Sequence, residues 1–270
     1  MKKKQVLQYT IAEAKNYDNY LGPILFEPYA IYMAAKIDPV IVGSALEIAC
    51  GTGRVTRHIR RALFENTSIF ATDLSKEMLN VAKKKLYDDD INFQIADAQD
   101  LPFADNLFDL VICQFGMMFF PDKEKVLNES YRVLRPGGKI MFFTWDDSLS
   151  MPIFRLLIHD LVLPYFTEEH TSRFFVPFSL HDPILLEEMM NTAGFKNTAV
   201  NRVVLKSGPH LLADVVTGLF LKHPLGKQIM TKAPVEFVSI SRQFAEGVAE
   251  QFGRENTMFD LSALLTSAEK

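Results

Sequence analysis

Cysteine is almost missing from this chain of 270 residues: Cys50 and Cys113 are the only two, and both sit inside apolar runs. That argues against a disulfide framework and against a metal site built from thiolates, and it leaves reduced, buried thiols as the expectation. The six histidines are scattered, none paired at i, i+3 or i+4, so no metal is expected. No window approaches 18 uninterrupted apolar residues, and "QVLQYTIAEAKNYD" follows "MKKK" where a signal peptide would carry its apolar stretch. The reading is a cytoplasmic protein without a membrane span. Basic excess is lacking too: 29 Lys and Arg against 33 Asp and Glu leave a formal net charge of −4. Nucleic-acid binding usually needs a basic face, so that partner is not expected, and a small molecule fits more easily.

What is present is a globular composition, 48% hydrophobic and 23% charged, with room for one domain or one domain with an appended lobe. "SALEIAC" (44–50) reads as a short apolar strand, and Val55, Ile59, Ala62 and Leu63 behind the glycines keep a helical stripe. "SIFATD" is a second strand, after which Ser75 caps a helix with Met78, Ala82 and Leu86 on one face. "INFQIAD" and the near-continuously apolar "FDLVICQF" are the third and fourth strands. Pro121 and Asp122 start the helix "KEKVLNESYRVL", which "RPGG" stops before the strand "KIMFFTW". Strands separated by helices in this order predict an open α/β sheet with right-handed crossovers. Past residue 150, Asp182 and Pro183 open a helix closed by Gly194, and "FKNTAVNRVVL" and "MFDLSALLTSAEK" read as two more strands, the second alternating in period two. About fifty residues separate these two, too many for a hairpin, and a helical stripe through Phe244, Val248 and Phe252 marks them as a helical insertion.

The chemistry concentrates in "ALEIACGTGRVT" (45–56). In an open parallel sheet a ligand binds beyond the carboxyl ends of the strands, beside the first strand's turn, and Gly51 and Gly53 fall there. A dinucleotide fingerprint requires G-x-G-x-x-G/A, whereas here Thr56 takes the third place and Glu47 stands inside the strand end. A carboxylate at that point repels a pyrophosphate and suits an ammonium group. Asp73, 20 residues past Gly53, can accept both ribose hydroxyls of a nicotinamide or an S-adenosyl cofactor.

"LEIACGTGRVT", "ATDLSKEML", "ADAQDLPFADNLFDLVICQFGMMFFPD" and "RVLRPGGKIMFFTW" resemble, in order and spacing, the class I S-adenosylmethionine-dependent methyltransferases, most of all the group of quinone-biosynthesis and small-molecule methyltransferases. The resemblance covers about residues 40–145, and "YDNYLGPILFEPYA" is similar to the helical segment that precedes the core in that group. It implies a Rossmann-like, doubly wound, mostly parallel seven-stranded α/β sheet with an antiparallel last strand and a helical lid. The expected division is an N-terminal helical segment (1–42), a cofactor-binding core (43–145) and a completion of the sheet (146–270), with the lid at about 146–179 and 207–255, all in one compact unit.

Carried over by position, the resemblance implies that Glu47, Gly51 and Gly53 line the methionine end of S-adenosylmethionine and that Asp73 takes the ribose. Met78 would lie near the adenine, Asp97 and Ala98 would meet its amino group, and Gln114 would approach the methionine moiety. Cys50, Thr52, Leu74 and Phe115 complete the expected cofactor set. One departure stands out, Ala49 in place of the signature's first glycine. Phe26, Tyr29, Phe119 and Phe175 are the expected walls of an aromatic acceptor pocket.

Cys113 is not read as a nucleophile, because Ile112 replaces the proline that precedes one in cytosine-carbon methyltransferases and a buried strand thiol is inert. "QFGM" at 114–117 is likewise not the tetrad of the adenine-amino methyltransferases. The expected reaction is methyl transfer to an oxygen, nitrogen or carbon of a small, fairly apolar acceptor, leaving S-adenosylhomocysteine. Positioning can supply most of the catalysis, so no triad is needed, and His170 and His181 are the candidates for a base. A nicotinamide-dependent oxidoreductase and a non-catalytic S-adenosyl-binding protein are the alternatives, and a monomer or homodimer is expected.

Overall fold

A computed structural model describes residues 10–87, 89–166 and 172–270. Its strands are β1 (Ser44–Ile48), β2 (Ser68–Asp73), β3 (Asn92–Ile95), β4 (Phe108–Gln114), β5 (Leu134–Trp145), β6 (Lys196–Lys206) and β7 (Asp260–Glu269). They form one sheet in the order β3-β2-β1-β4-β5-β7-β6. The first five are parallel, and β7 runs antiparallel between β5 and β6. The chain winds outward from β1 to β3, then returns to place β4 on the other side of β1. That reversal opens a crevice above the carboxyl ends of β1 and β4, where the glycine turn lies.

The helices that cover the sheet follow the capping signals. Ser75 Oγ accepts from the Met78 N–H at the start of α4 (Lys76–Lys85), and Asp122 Oδ1 accepts from the Lys125 N–H at the start of α5 (Lys123–Val133). Ahead of the sheet, α1 (Ile11–Asn16) and α2 (Glu27–Ala34) are joined by Tyr17–Phe26, a stretch of wider turns in which the Glu27 N–H bonds to Gly22 O, five residues back. Such widened turns gather at functional places in helices. Between β1 and β2 lies α3 (Arg54–Ala62), whose Val55 and Ile59 are buried against the core.

Two sequence expectations need correction. β5 begins at Leu134, not after "RPGG": Phe108 pairs with Leu134 and Leu110 with Lys139, so the four residues form an irregularity within an extended run rather than a gap before it. β7 does not alternate between core and solvent, because Leu261–Thr266 are all buried by cover on both faces. Ser262 tolerates this by donating its hydroxyl to Asp146 Oδ2 at 2.7 Å. After β5 come helical turns through residues 148–165 and 172–178, then α6 (Pro183–Thr192). The stretch between β6 and β7 is helical, ending in α7 (Pro224–Lys232) and α8 (Pro234–Phe252). No helix among the described residues is long and apolar enough to cross a membrane.

Candidate active site

β1 delivers Glu47 to the crevice inside a strand with no solvent face, so its carboxyl is only 2% exposed. Thr56 Oγ, one turn into α3, donates to Glu47 Oε2 at 2.6 Å. Thr56 is the residue that stands where a dinucleotide fingerprint has its third glycine, and here that place supports the carboxyl. Burial pushes the pKa of Glu47 up to about 8, the Thr56 bond working against the shift and the charge of Asp73 adding to it.

The turn itself is held by Asp73 at the end of β2. Its Oδ2 accepts the Gly51 N–H and its Oδ1 the Ser75 N–H, each at 2.8 Å, so one carboxylate ties the glycine loop to the cap of α4. Burial raises its pKa against these bonds. Each oxygen keeps a further lone pair for a hydroxyl donor. The loop is left-handed at Ala49 (φ +53°) and Gly51 (φ +56°). A Cβ on Gly51 would project into open space, whereas one on Gly53 would meet Ala82 and Leu86 at 3.0 Å. The first glycine thus faces the cavity and the second makes room for α4.

That cavity has Tyr17, Phe26, Glu47, Gly51, Arg54 and Gln114 among its walls. Gln114, the last residue of β4, donates its Nε2 to Phe26 O at 3.0 Å, while its Oε1 is buried without a partner. A residue with an orphaned amide oxygen and one with a buried carboxyl therefore line one cavity, and both would be satisfied by a cation rich in N–H donors. Tyr17 and Phe26, which also line the cavity, stack with ring centroids 5.2 Å apart. Cys50 and Thr52 also line the cavity, and both cysteine thiols are pushed up by burial, Cys113 to about 12, which leaves them inert.

Of the other expected residues, Asp97 directly follows Ala96, whose N–H donates to Asp73 O at 3.2 Å. Asp97 Oδ1 accepts the Gln99 N–H, and Met78 and Ala98 are buried nearby in sequence. Leu74 is 47% exposed. Phe115 stacks on Trp145 at 3.9 Å, and Phe26 lies 5.5 Å from Phe115. Tyr29 sits behind them in the core, fully buried, with its hydroxyl donating to Leu261 O at 2.8 Å and Val203 O at 3.1 Å. Phe119 is largely exposed, and the ring of Phe175 lies 5.7 Å from that of His159. His181 is exposed at the foot of α6, its Nδ1 2.7 Å from Phe178 O, and His170 lies outside the described residues. No group of metal-ligating side chains is found among the described residues.

The sequence reading passed over the residues that fasten the N-terminal segment to this loop. Asp18 Oδ1 accepts from Thr52 Oγ (2.7 Å), Lys85 Nζ (2.6 Å) and Arg54 Nη2 (3.2 Å). Glu27 meets Arg54 Nη1 at 2.6 Å, Arg57, and His58 at 2.9 Å. Burial alone would raise the Glu27 carboxyl, but the hydrogen bonds from His58, Arg54 and Arg57 hold it well below the usual carboxylate range. These partners lie 27 to 67 positions apart in sequence, a separation that leaves no periodic signal.

Comparison with known proteins agrees with this geometry. Residues 46–142 match a family model described as a methyltransferase domain. The chain is 31% identical over 213 residues to a demethylmenaquinone methyltransferase of Staphylococcus saprophyticus, covering 74% of this chain and 91% of that one. A demethylmenaquinone methyltransferase of Lactobacillus johnsonii is 30% identical over 181 residues, covering 61% and 72%. The fold also matches phosphoethanolamine N-methyltransferase 2 of Haemonchus contortus, solved with phosphomonomethylethanolamine and S-adenosylhomocysteine, at a TM-score of 0.61 and 18% identity over 97% of this chain and 58% of that one. Read with a glycine turn that carries a buried carboxyl in place of a pyrophosphate cradle, these likenesses place the chain in the class I S-adenosylmethionine-dependent methyltransferases, within the quinone-biosynthesis group.

Proposed function

We propose that the chain methylates a planar, quinol-like aromatic acceptor seated between the Tyr17–Phe26 pair and Gln114. The observation that carries this reading is the stacked pair itself, contributed by the N-terminal segment and lining the same cavity as the glycine turn. Aromatic walls suit a flat apolar ring, and the relatives named for demethylmenaquinone favour that substrate class.

When bound, the cofactor supplies an electrophilic methyl group on a sulfonium. Glu47 and Gln114 Oε1 would hold its ammonium end, with Cys50, Gly51, Thr52 and Gly53 giving the backbone around it. Asp73 would take the ribose hydroxyls, with Leu74 beside it, Met78 and Ala98 would flank the adenine, and Asp97 would accept from its amino group. The role left to this chain is to hold the acceptor's nucleophilic atom in line and to keep water out, and orientation alone is worth about 7–11 kcal/mol in favourable systems. The described residues of the segments 146–179 and 207–255 serve as the cover over the described residues of the core at 43–145, together with the N-terminal helices. An electron-rich quinol carbon requires no strong base, which fits a pocket whose charged groups are committed to the cofactor.

Incubation with methyl-labelled S-adenosylmethionine and a panel of quinols, phenols and amines tests the reading. Label on the ring carbon of a quinol is the expected result, and label only on amines would overturn it. Asp73→Ala is expected to weaken S-adenosylhomocysteine binding at least tenfold in calorimetry, and unchanged affinity would refute the ribose assignment.

A further inference from the structure

We infer that Arg54 is the anchor for the carboxylate at the amino-acid end of the cofactor, an inference that rests on the S-adenosyl site described above. Arg54 is the first residue of α3, only 9% exposed, and lines the same cavity as Glu47, Gly51 and Gln114. Its Nη1 is taken by Glu27 and its Nη2 by Asp18, but its Nε is buried with no partner. An unpaired N–H on a buried cation is costly, and it is satisfied by an anionic oxygen.

The local charge points the same way. Arg54, Arg57 and Lys85 face only Asp18 and Glu27 in this cluster, which leaves one positive charge in excess. The amino terminus of the nine-residue α3 adds a further partial positive charge at the same spot. Lys85 is held by Asp18 and by Thr52 O, so Arg54 is the cation of this cluster that both lines the cavity and keeps an unpartnered Nε. Glu47 and Gln114, whose Oε1 is unpartnered, line the same cavity as acceptors. A cation and acceptors lining one cavity complement a zwitterionic α-amino acid. The same view accounts for Gly22, which nothing else in the site explains: any side chain there would overlap the Arg54 guanidinium.

A purely structural Arg54, one that only fastens the N-terminal segment, makes a different prediction from a carboxylate anchor. Calorimetry with S-adenosylhomocysteine and with its decarboxylated analogue, which keeps the adenosine and the amine, separates them. In the unmodified chain, loss of the carboxylate is expected to weaken binding at least tenfold. In Arg54→Gln the two ligands should bind within about twofold of each other, because the group that distinguishes them has been removed. Gly22→Ala displaces the guanidinium while keeping its charge, and it should narrow the gap in the same way if Arg54→Gln does not fold. A gap that stays tenfold in a folded Arg54→Gln or Gly22→Ala variant would overturn the inference. An unmodified chain that binds both ligands equally would overturn it while leaving the S-adenosyl site intact, and one that binds neither would overturn both.

Discussion

At the residue scale, Ala49 is the departure with the clearest physical consequence. It holds a left-handed backbone (φ +53°) that an L side chain adopts only at a cost, and a Cβ added to Gly116 would lie 2.8 Å from the Ala49 methyl and from Cys113 Sγ. Ala49→Gly is expected to raise stability by about 0.5–1 kcal/mol, read as a higher urea midpoint at unchanged m-value. Gly116→Ala should destabilise, and should destabilise less in the Ala49→Gly background, since one of its two clashes has gone. Equal losses in both backgrounds would mean that the two sites do not touch. Glu47 makes a second prediction. Its folded pKa of about 8 lies above the ordinary 4.5, so between those values the folded chain keeps a proton that the unfolded chain has lost. Its contribution to stability is therefore present at low pH and falls as pH rises through that window. Glu47→Gln should gain on the unmodified chain as pH goes from about 5 to 8. An ammonium group beside Glu47 favours the ionised form, so S-adenosylhomocysteine binding at pH 7 should release close to one proton. Titrations in buffers of different ionisation enthalpy measure that number, and it should vanish in Glu47→Gln.

At the scale of elements, the N-terminal helices matter as much as the glycine turn. α2 is fixed to the antiparallel half of the sheet by Tyr29, whose hydroxyl serves one carbonyl on β6 and one on β7. Tyr29→Phe leaves both without that donor and should cost about 1–3 kcal/mol in urea unfolding. Cofactor affinity should hardly change, because Tyr29 lies behind Phe115 and away from the glycine loop; a large loss of affinity would show that the helix needs this anchor to form the site. The core elements were legible because their signals are local: Ser75, Asp122 and Asp182 cap where caps were read, and Gly194 closes α6 at φ +90°. The start of β5 was not, because its first residues pair through an irregular register that depends on β4 rather than on their own pattern.

At the scale of the whole molecule, the cavity is closed by parts of the chain far apart in sequence. Tyr17–Phe26 rests against the turn at Thr217–Leu221, where a side chain on Gly218 would meet Tyr20 at 2.9 Å, and Lys227 pairs with Glu13 at 2.7 Å. Segments with widened turns and ionic ties open more readily than a fully paired sheet. Hydrogen exchange should therefore show 17–26 and 217–221 gaining protection together when S-adenosylhomocysteine binds, while β1, β4 and β5 stay unchanged. Protection confined to the glycine loop would show that these segments are not a cover.

The sequence by itself determined the parallel core, the glycine turn and the carboxylates at its strand ends, because apolar periodicity, capping and motif spacing are written over short stretches of chain. It also marked Ala49 as unusual without showing its left-handed backbone. Only the tertiary structure decided that Thr56 supports Glu47, that Tyr29 belongs to the core, and that Asp18 and Glu27 grip Arg54 by its two Nη atoms while its Nε stays unpartnered. Those facts depend on which buried groups find partners across the fold, and burial with its satisfied and unsatisfied polar atoms exists only once distant segments have packed.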